Sequence, residues 1–264
     1  MRSLTQLALR RCRQVADFPE MVRSFRAETA QRTADPLNLR NFEEKVFSQN
    51  GEDGSIREIF RRIGAGSRFC VEFGIEDGTE NCTRRLIEQD GWTGVWLEGS
   101  AESVARARER FSAYPVRIEN AFIDADNIEA LFARTGVPRE PDLLVIDIDG
   151  NDFWVWQALR AYTPRVVVIE YNGSFGPATD WVLPYDPAHR WDFSNRYGAS
   201  LRALTRLGSE LGYALVGCDS CGVNAYFVRR DLLGDRFSHP DGGAEFHYVR
   251  PKALFFPRWR RLAI

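Results

Sequence analysis

Residues 71–78 read Val71-Glu72-Phe73-Gly74-Ile75-Glu76-Asp77-Gly78. Apolar residues at 71 and 73 run into a glycine-bearing turn, the form taken by a buried strand that enters a tight βα connection. The two glycines permit left-handed turns and close backbone approach, although many βα turns need glycine for structural reasons alone. The same punctuation recurs along the chain. Short β-rich apolar segments at 69–73, 95–98, 116–119, 143–148, 166–171, 214–218 and 224–228 are separated by amphipathic stretches near 81–89, 102–111, 127–134, 153–161 and 200–211. This is the rhythm of βαβ units, and no internal repeat or low-complexity segment competes with it. It predicts an α/β fold: a doubly wound, Rossmann-like, seven-stranded and mostly parallel sheet with helices on both faces and a close pair of strands at its end.

The 264 residues are 44% hydrophobic and 27% charged, enough to bury about three quarters of the unfolded surface in one core. One domain is expected over 41–264, preceded by a helical extension over 1–40 whose Leu4, Leu7, Val15, Phe18 and Met21 recur at partly helical spacing before Asp35-Pro36. A net charge of -2 gives no global reason to bind nucleic acid. No apolar run approaches the roughly 20 residues that span a bilayer, and the opening residues lack the continuous apolar core of a secretory signal. A cytoplasmic protein is expected, acting on a small molecule, with a homo-oligomer left open. The five cysteines are scattered and odd in number, which suits reduced thiols. The single Cys218-x-x-Cys221 lacks the second pair that would mark a zinc site.

In open α/β sheets ligands bind beyond the carboxyl ends of the strands, so the residues that follow each strand are the candidates. Glu72, Glu76, Asp77 and Glu80 put carboxylates on or beside the first loop, with no lysine or arginine until Arg84. Such a loop disfavours a pyrophosphate and suits a cationic ligand. S-adenosylmethionine carries an ammonium and a sulfonium and no phosphate. The next strand ends at Glu98, where a carboxylate can accept hydrogen bonds from both ribose hydroxyls of an adenosine. The third leads to Asn120-Ala121-Phe122, in the order where an adenine edge would lie.

Several motifs in order carry a family resemblance. Ser48-Gln49-Asn50-Gly51-Glu52-Asp53-Gly54-Ser55-Ile56, the glycine loop, Asn81, Gly91-Trp92-Thr93-Gly94 with Glu98, and Ile146-Asp147-Ile148-Asp149-Gly150 resemble the FkbM-type class I methyltransferases over roughly residues 46–172. The resemblance implies S-adenosylmethionine as methyl donor and O-methylation of a hydroxyl on a sugar or secondary metabolite. The sequence departs from the pattern at Asp149, where the family usually has glutamate. Loop reading and resemblance together give a cofactor-binding set of Gln49, Glu52, Glu72, Gly74, Asp77, Gly78, Asn81, Glu98, Asn120, Ala121 and Asp147. Gln49 and Glu52 would fold over the sheet edge onto the methionine portion. The alternative for that segment is a polar loop capping a helix that begins near Ser55, with Asp53 and Ser55 as good N-caps.

On the acceptor side, Asp147 to Asp152 follow the fourth strand and Glu170 to Gly173 the fifth. Asp149, Glu170 and His189 are the catalytic candidates. In one reading Asp149, Glu170 and Asn172 hold Mg²⁺, which binds the acceptor oxygen and lowers its pKa. In a second, the carboxylates orient the acceptor without metal, and in a third Asp152 merely caps the next helix. His189 lies in an insertion over about 173–199 whose Phe175, Trp181, Tyr185, Trp191, Phe193 and Tyr197 are read as an aromatic lid. A nicotinamide-dependent oxidoreductase on the same sheet, and a non-catalytic binding protein that retains the fold, are the competing functions.

Overall fold

The computed structural model describes residues 34–251. Residues 1–33 of the expected helical extension lie outside the described residues. Its end, a one-turn 3-10 helix at Leu39–Phe42, is opened by Asn38, whose side chain accepts from the Arg40 amide. Leu39 is buried there and packs against Gly217.

Seven strands form one sheet: β1 (Phe69–Phe73), β2 (Thr93–Glu98), β3 (Val116–Asn120), β4 (Leu143–Ile146), β5 (Val166–Glu170), β6 (Tyr213–Cys218) and β7 (Asn224–Arg229). Their order is β3-β2-β1-β4-β5-β7-β6. All pairs are parallel except those of β7, which is inserted antiparallel between β5 and β6. The doubly wound fold read from the sequence is therefore present. The order reverses between β1 and β4, which is the topological switch point where such sheets bind ligands.

Seven α-helices accompany the sheet among the described residues: α1 (Glu52–Ile63), α2 (Arg84–Gln89), α3 (Ala101–Arg110), α4 (Ile128–Thr135), α5 (Asp152–Ala158), α6 (Leu201–Glu210) and α7 (Gly243–His247). Strand alternation sends side chains to two faces, and each face has its own core. Phe73, Leu97, Ile146 and Ile169 meet Phe132 of α4, Trp156 of α5 and Leu204 of α6. Cys70, Trp96, Val145 and Val168 meet Ile59 of α1, Leu86 of α2 and Ala107 of α3.

Several boundaries differ from expectation, and buried carboxylates lie beside three of them. Helix α1 starts at Glu52 rather than near Ser55, with Gly51 at φ +101° as its N-cap. Asp53 is not a cap: one of its oxygens accepts the amides of Val46, Phe47 and Ser48 and the Ser48 hydroxyl at 2.7–3.0 Å. Helix α2 starts at Arg84 because Glu72 takes the amides of Cys82 and Thr83. Strand β4 stops at Ile146, since Asp152 accepts from the amides of Ile148 and Gly150 and curls the chain out of the sheet.

Candidate functional site

The β1–α2 loop crosses the switch point. Gly74 has φ +67°, and a β-carbon on it would lie 2.0 Å from the Asp147 carbonyl oxygen. This glycine lets two loops pass in contact. Gly78, at φ +79°, is likewise pressed on the Phe111 ring. Glu72 points inward: its carboxylate accepts from Cys82 and Thr83 amides at 2.8 and 2.9 Å and from the Thr83 hydroxyl at 2.5 Å, and Trp96 Nε1 donates to that hydroxyl. Burial raises its pKa against the pull of those donors.

Tertiary structure brings basic side chains to a loop that looked wholly acidic. Arg110 of α3 pairs with Asp77 at 3.2 Å and donates to its carbonyl. Hydrogen bonds from Thr79, together with that guanidinium, hold Asp77 below the ordinary carboxylate range. Lys45 reaches Glu80 at 3.4 Å. Glu76, Glu98, Asp147, Asp149 and Glu170 keep no ion-pair partner among the described residues. The acidic field survives at the strand ends, where a phosphate would meet it.

Glu98 ends β2. Its oxygens accept the Ser100 amide at 2.7 Å and the Glu76 amide at 3.0 Å, which fixes the carboxylate while leaving each oxygen a lone pair. Asn120 lies opposite Glu98 in register and donates to the carbonyls of Glu98 and Gly99. The Ala121 amide donates to the Glu98 carbonyl at 2.9 Å. Both residues thus lock the β2–α3 turn, and the exposed group beside them is Phe122. Arg190 of the insertion stacks on that ring at 3.5 Å.

The segment before α1 is divided. Gln49 is exposed, whereas Glu52 is buried and accepts from the Asn50 amide at 2.8 Å and from Asn224 Nδ2 at 2.9 Å. Asn81 is 1% exposed; neither polar atom of its amide makes a hydrogen bond of normal length among the described residues, but the amide lies close enough to Glu72 to favour that carboxylate's ionised form.

Beyond β4 and β5, Asp147, Asp149 and Glu170 bring one oxygen each to within 4.8 Å of one another. Asp149 sits at φ +55°, a conformation that costs a non-glycine residue energy and recurs at functional sites. Burial raises the pKa of all three, and for Asp147 and Glu170 the neighbouring carboxylates add to it. Asp152 is pushed up to about 6, again mainly by burial. His189 joins them from the insertion: its ring lies against Gly150, and its Nε2 is buried without a partner.

Asn172 is placed differently from the metal reading. It is fully buried, its Nδ2 donates to the carbonyls of Asn195 and Tyr197 at 2.9 Å, and its Oδ1 accepts the Ser174 amide. It shapes the insertion, and Asp147 takes its place as third carboxylate-side oxygen. The aromatic lid is three separate groups, Phe175 stacked on Trp181, Tyr185 against Trp154 of α5, and Trp191 against Phe193 and Tyr197. Tyr197 lies among the carboxylates, which together with burial raise its pKa. Arg110, Asp152 and Tyr197 were not in the expected site. Asp152 had a sequence signal in its place two residues after Gly150, and Tyr197 in its place among the aromatic residues of the insertion; Arg110 arrives only through long-range packing.

No protein-family model matches the chain, and no curated protein matches it. Solved structures with a similar course include the N-terminal domain of EvdMO1 in the presence of S-adenosylhomocysteine and D-fucose, at 16% identity and a TM-score of 0.44, over 71% of this chain and 85% of that one. The plantazolicin methyltransferase BamL, in complex with a triazolic desmethylPZN analog and S-adenosylhomocysteine, aligns at 11% identity and a TM-score of 0.46, over 68% and 85%. Magnesium protoporphyrin IX methyltransferase (ChlM) from Synechocystis PCC 6803, with bound S-adenosylhomocysteine, aligns at 12% identity and a TM-score of 0.41, over 80% and 99%.

Proposed function

We propose that the chain is an S-adenosylmethionine-dependent methyltransferase that methylates a hydroxyl of a small molecule, a sugar or secondary metabolite. The observation that carries this reading is the set of unpaired carboxylates at the switch point, with Glu98 held by two backbone amides at the tip of the neighbouring strand. Such a set suits a ribose and a cation and repels a pyrophosphate. Asn81 adds a buried amide on the β1–α2 loop, beside the Glu72 carboxylate.

When bound, the cofactor supplies a methyl group on a sulfonium, ready for in-line attack. Glu98 would orient the adenosine through its ribose, with Phe122 beside the base. Asp149 would fix the acceptor hydroxyl, and aligning it is worth up to about 7–11 kcal/mol of barrier. The proton released by that hydroxyl would pass to His189 Nε2, whose position over Gly150 is the best-placed free nitrogen.

Isothermal titration tests the reading. Wild-type protein should bind S-adenosylhomocysteine and not NAD, and Glu98→Ala should weaken that binding by about 1–3 kcal/mol. Binding of NAD without S-adenosylhomocysteine would transfer the site to the oxidoreductase reading. A second reading adds a hard cation such as Mg²⁺ on Asp147, Asp149 and Glu170, favoured by the spacing of their oxygens.

A further inference from the structure

Among the described residues, eleven side-chain nitrogen and oxygen atoms are buried without a hydrogen-bond partner, and six of them belong to Asp53, Asn81, Glu170, Asn224 and Tyr226. These residues are far apart in sequence. Glu170 of β5 and Asn224 of β7 are direct partners across the antiparallel pair, so their side chains share a face, and Tyr226 two residues on shares it too. That face is the one covered by α1 and α2, since Tyr226 packs with Ile59 and Leu86. Asp53 enters from the first turn of α1. Asn81 enters from the β1–α2 loop, directly before the Cys82 and Thr83 amides that Glu72 holds. Charge interactions close the circuit: Glu52 and Asp219 act on Tyr226, Glu52, Asp53, Glu72 and Asp147 on Cys82, and Asp147 on Glu170.

Leaving a buried polar atom unpaired costs about 1–3 kcal/mol, so six in one region mark a place made for polar groups that the described residues do not provide. The donor set says which. Asn81 Nδ2 and the Tyr226 hydroxyl can donate; Asn81 Oδ1, Asn224 Oδ1, Asp53 Oδ1 and Glu170 Oε2 can accept. The Asn224 amide is oriented by its bond to Glu52, which turns Nδ2 toward that carboxylate and leaves Oδ1 free. A lone phosphate fits poorly, because this region gathers Glu52, Glu72, Asp147 and Glu170 and a phosphate brings no cation to offset them. An α-amino acid fits both halves of the set: its carboxylate accepts from Asn81 and Tyr226, and its ammonium donates to Glu170 and Asn224.

We propose that this buried polar region, beneath residues 46–54, binds the α-ammonium and α-carboxylate of the cofactor, with Asn81, Glu170, Asn224 and Tyr226 as its contacts. The proposal rests on the cofactor reading above and adds to it two β7 residues that no loop motif identifies.

The test compares S-adenosylhomocysteine with 5′-methylthioadenosine, which has the same adenosine and no amino-acid end, by calorimetric titration of wild type, Tyr226→Phe and Asn81→Ala. Wild type should bind S-adenosylhomocysteine at least about tenfold more tightly. Each variant should lose about five- to fiftyfold in that affinity, the scale of one buried hydrogen bond, and keep its affinity for 5′-methylthioadenosine within about twofold. Tyr226→Phe removes only a hydroxyl that has no partner among the described residues, so its thermal stability should equal or exceed wild type. Equal loss for both ligands, or no loss for either, overturns the proposal and leaves the cofactor reading standing. Failure of wild type to bind either ligand overturns both.

Discussion

Gly150 sets the distance between the β4–α5 loop and the insertion. A β-carbon on it would stand 2.3 Å from His189 Cδ2 and 3.0 Å from Nε2, and the residue is outside the left-handed region, so a side chain there is resisted by the imidazole and not by the backbone. Gly150→Ala is therefore expected to expel His189 while leaving the adenosine side intact. The reactivity of His189 toward diethyl pyrocarbonate, followed by mass spectrometry, should rise several-fold as Nε2 leaves its buried position. S-adenosylhomocysteine affinity should stay within about twofold of wild type, because Glu98 ends β2 and Phe122 follows β3. Unchanged reactivity would mean that the imidazole is free to stay and does not depend on this glycine. At Gly74 the obstruction is instead the Asp147 carbonyl with φ +67°, so substitution there costs stability first.

The β6–β7 hairpin shows how one carboxylate organises an element. Asp219 follows β6 and accepts the amides of Cys221 at 2.6 Å, Val223 at 3.3 Å, and Asn224. It is fully buried, and burial, with Glu52 nearby, pushes its pKa up to about 7 against an ordinary 3.8. A carboxyl whose folded pKa is raised holds its proton longer in the native state than in the unfolded chain. Its contribution to stability is thus present at low pH and lost as pH rises toward the folded pKa. Asp219→Asn does not titrate. The variant should be less stable than wild type at pH 5, because the amide NH₂ faces backbone donors, and the gap should narrow between pH 5 and pH 8. Urea unfolding across that range measures it, and a gap independent of pH would refute the assignment.

At the scale of the molecule, the acceptor side is assembled from segments that meet only in the folded state. Asp147 and Asp149 come from the β4–α5 loop, Glu170 from the end of β5, and His189 from the insertion. The insertion is fastened on three sides: Asn172 bonds the Asn195 and Tyr197 carbonyls, Trp154 Nε1 and Asn151 Nδ2 donate to the carbonyls of Leu183 and Asp186, and the Tyr185 hydroxyl donates to Asp126 at 2.8 Å. If the three carboxylates hold a divalent ion, Mn²⁺ titrated into metal-stripped protein should give one bound ion per chain by electron paramagnetic resonance. Asp149→Asn and Glu170→Gln should each abolish that signal. No bound Mn²⁺ at millimolar concentration would leave the carboxylates to orient the acceptor unaided.

Periodicity of apolar residues and the position of glycines determined the sheet, its parallel core and the last pair of strands, because strand alternation and βα turn chemistry are local properties. They also located Glu98 and Asp149 at strand ends, since in a doubly wound sheet every strand of the parallel set delivers its following residues to one edge. What local pattern could not express was partnership. Glu72, read as a ligand residue, turns inward because the Thr83 and Cys82 amides wait there. Asp77 looked free until α3 laid Arg110 beside it. Asn172 belongs to the insertion, and Asn224 and Tyr226 reach the site region only because β7 is inserted next to β5. Which carboxylates stay unpaired depends on long-range contacts, and those are made by the packing of helices on the sheet.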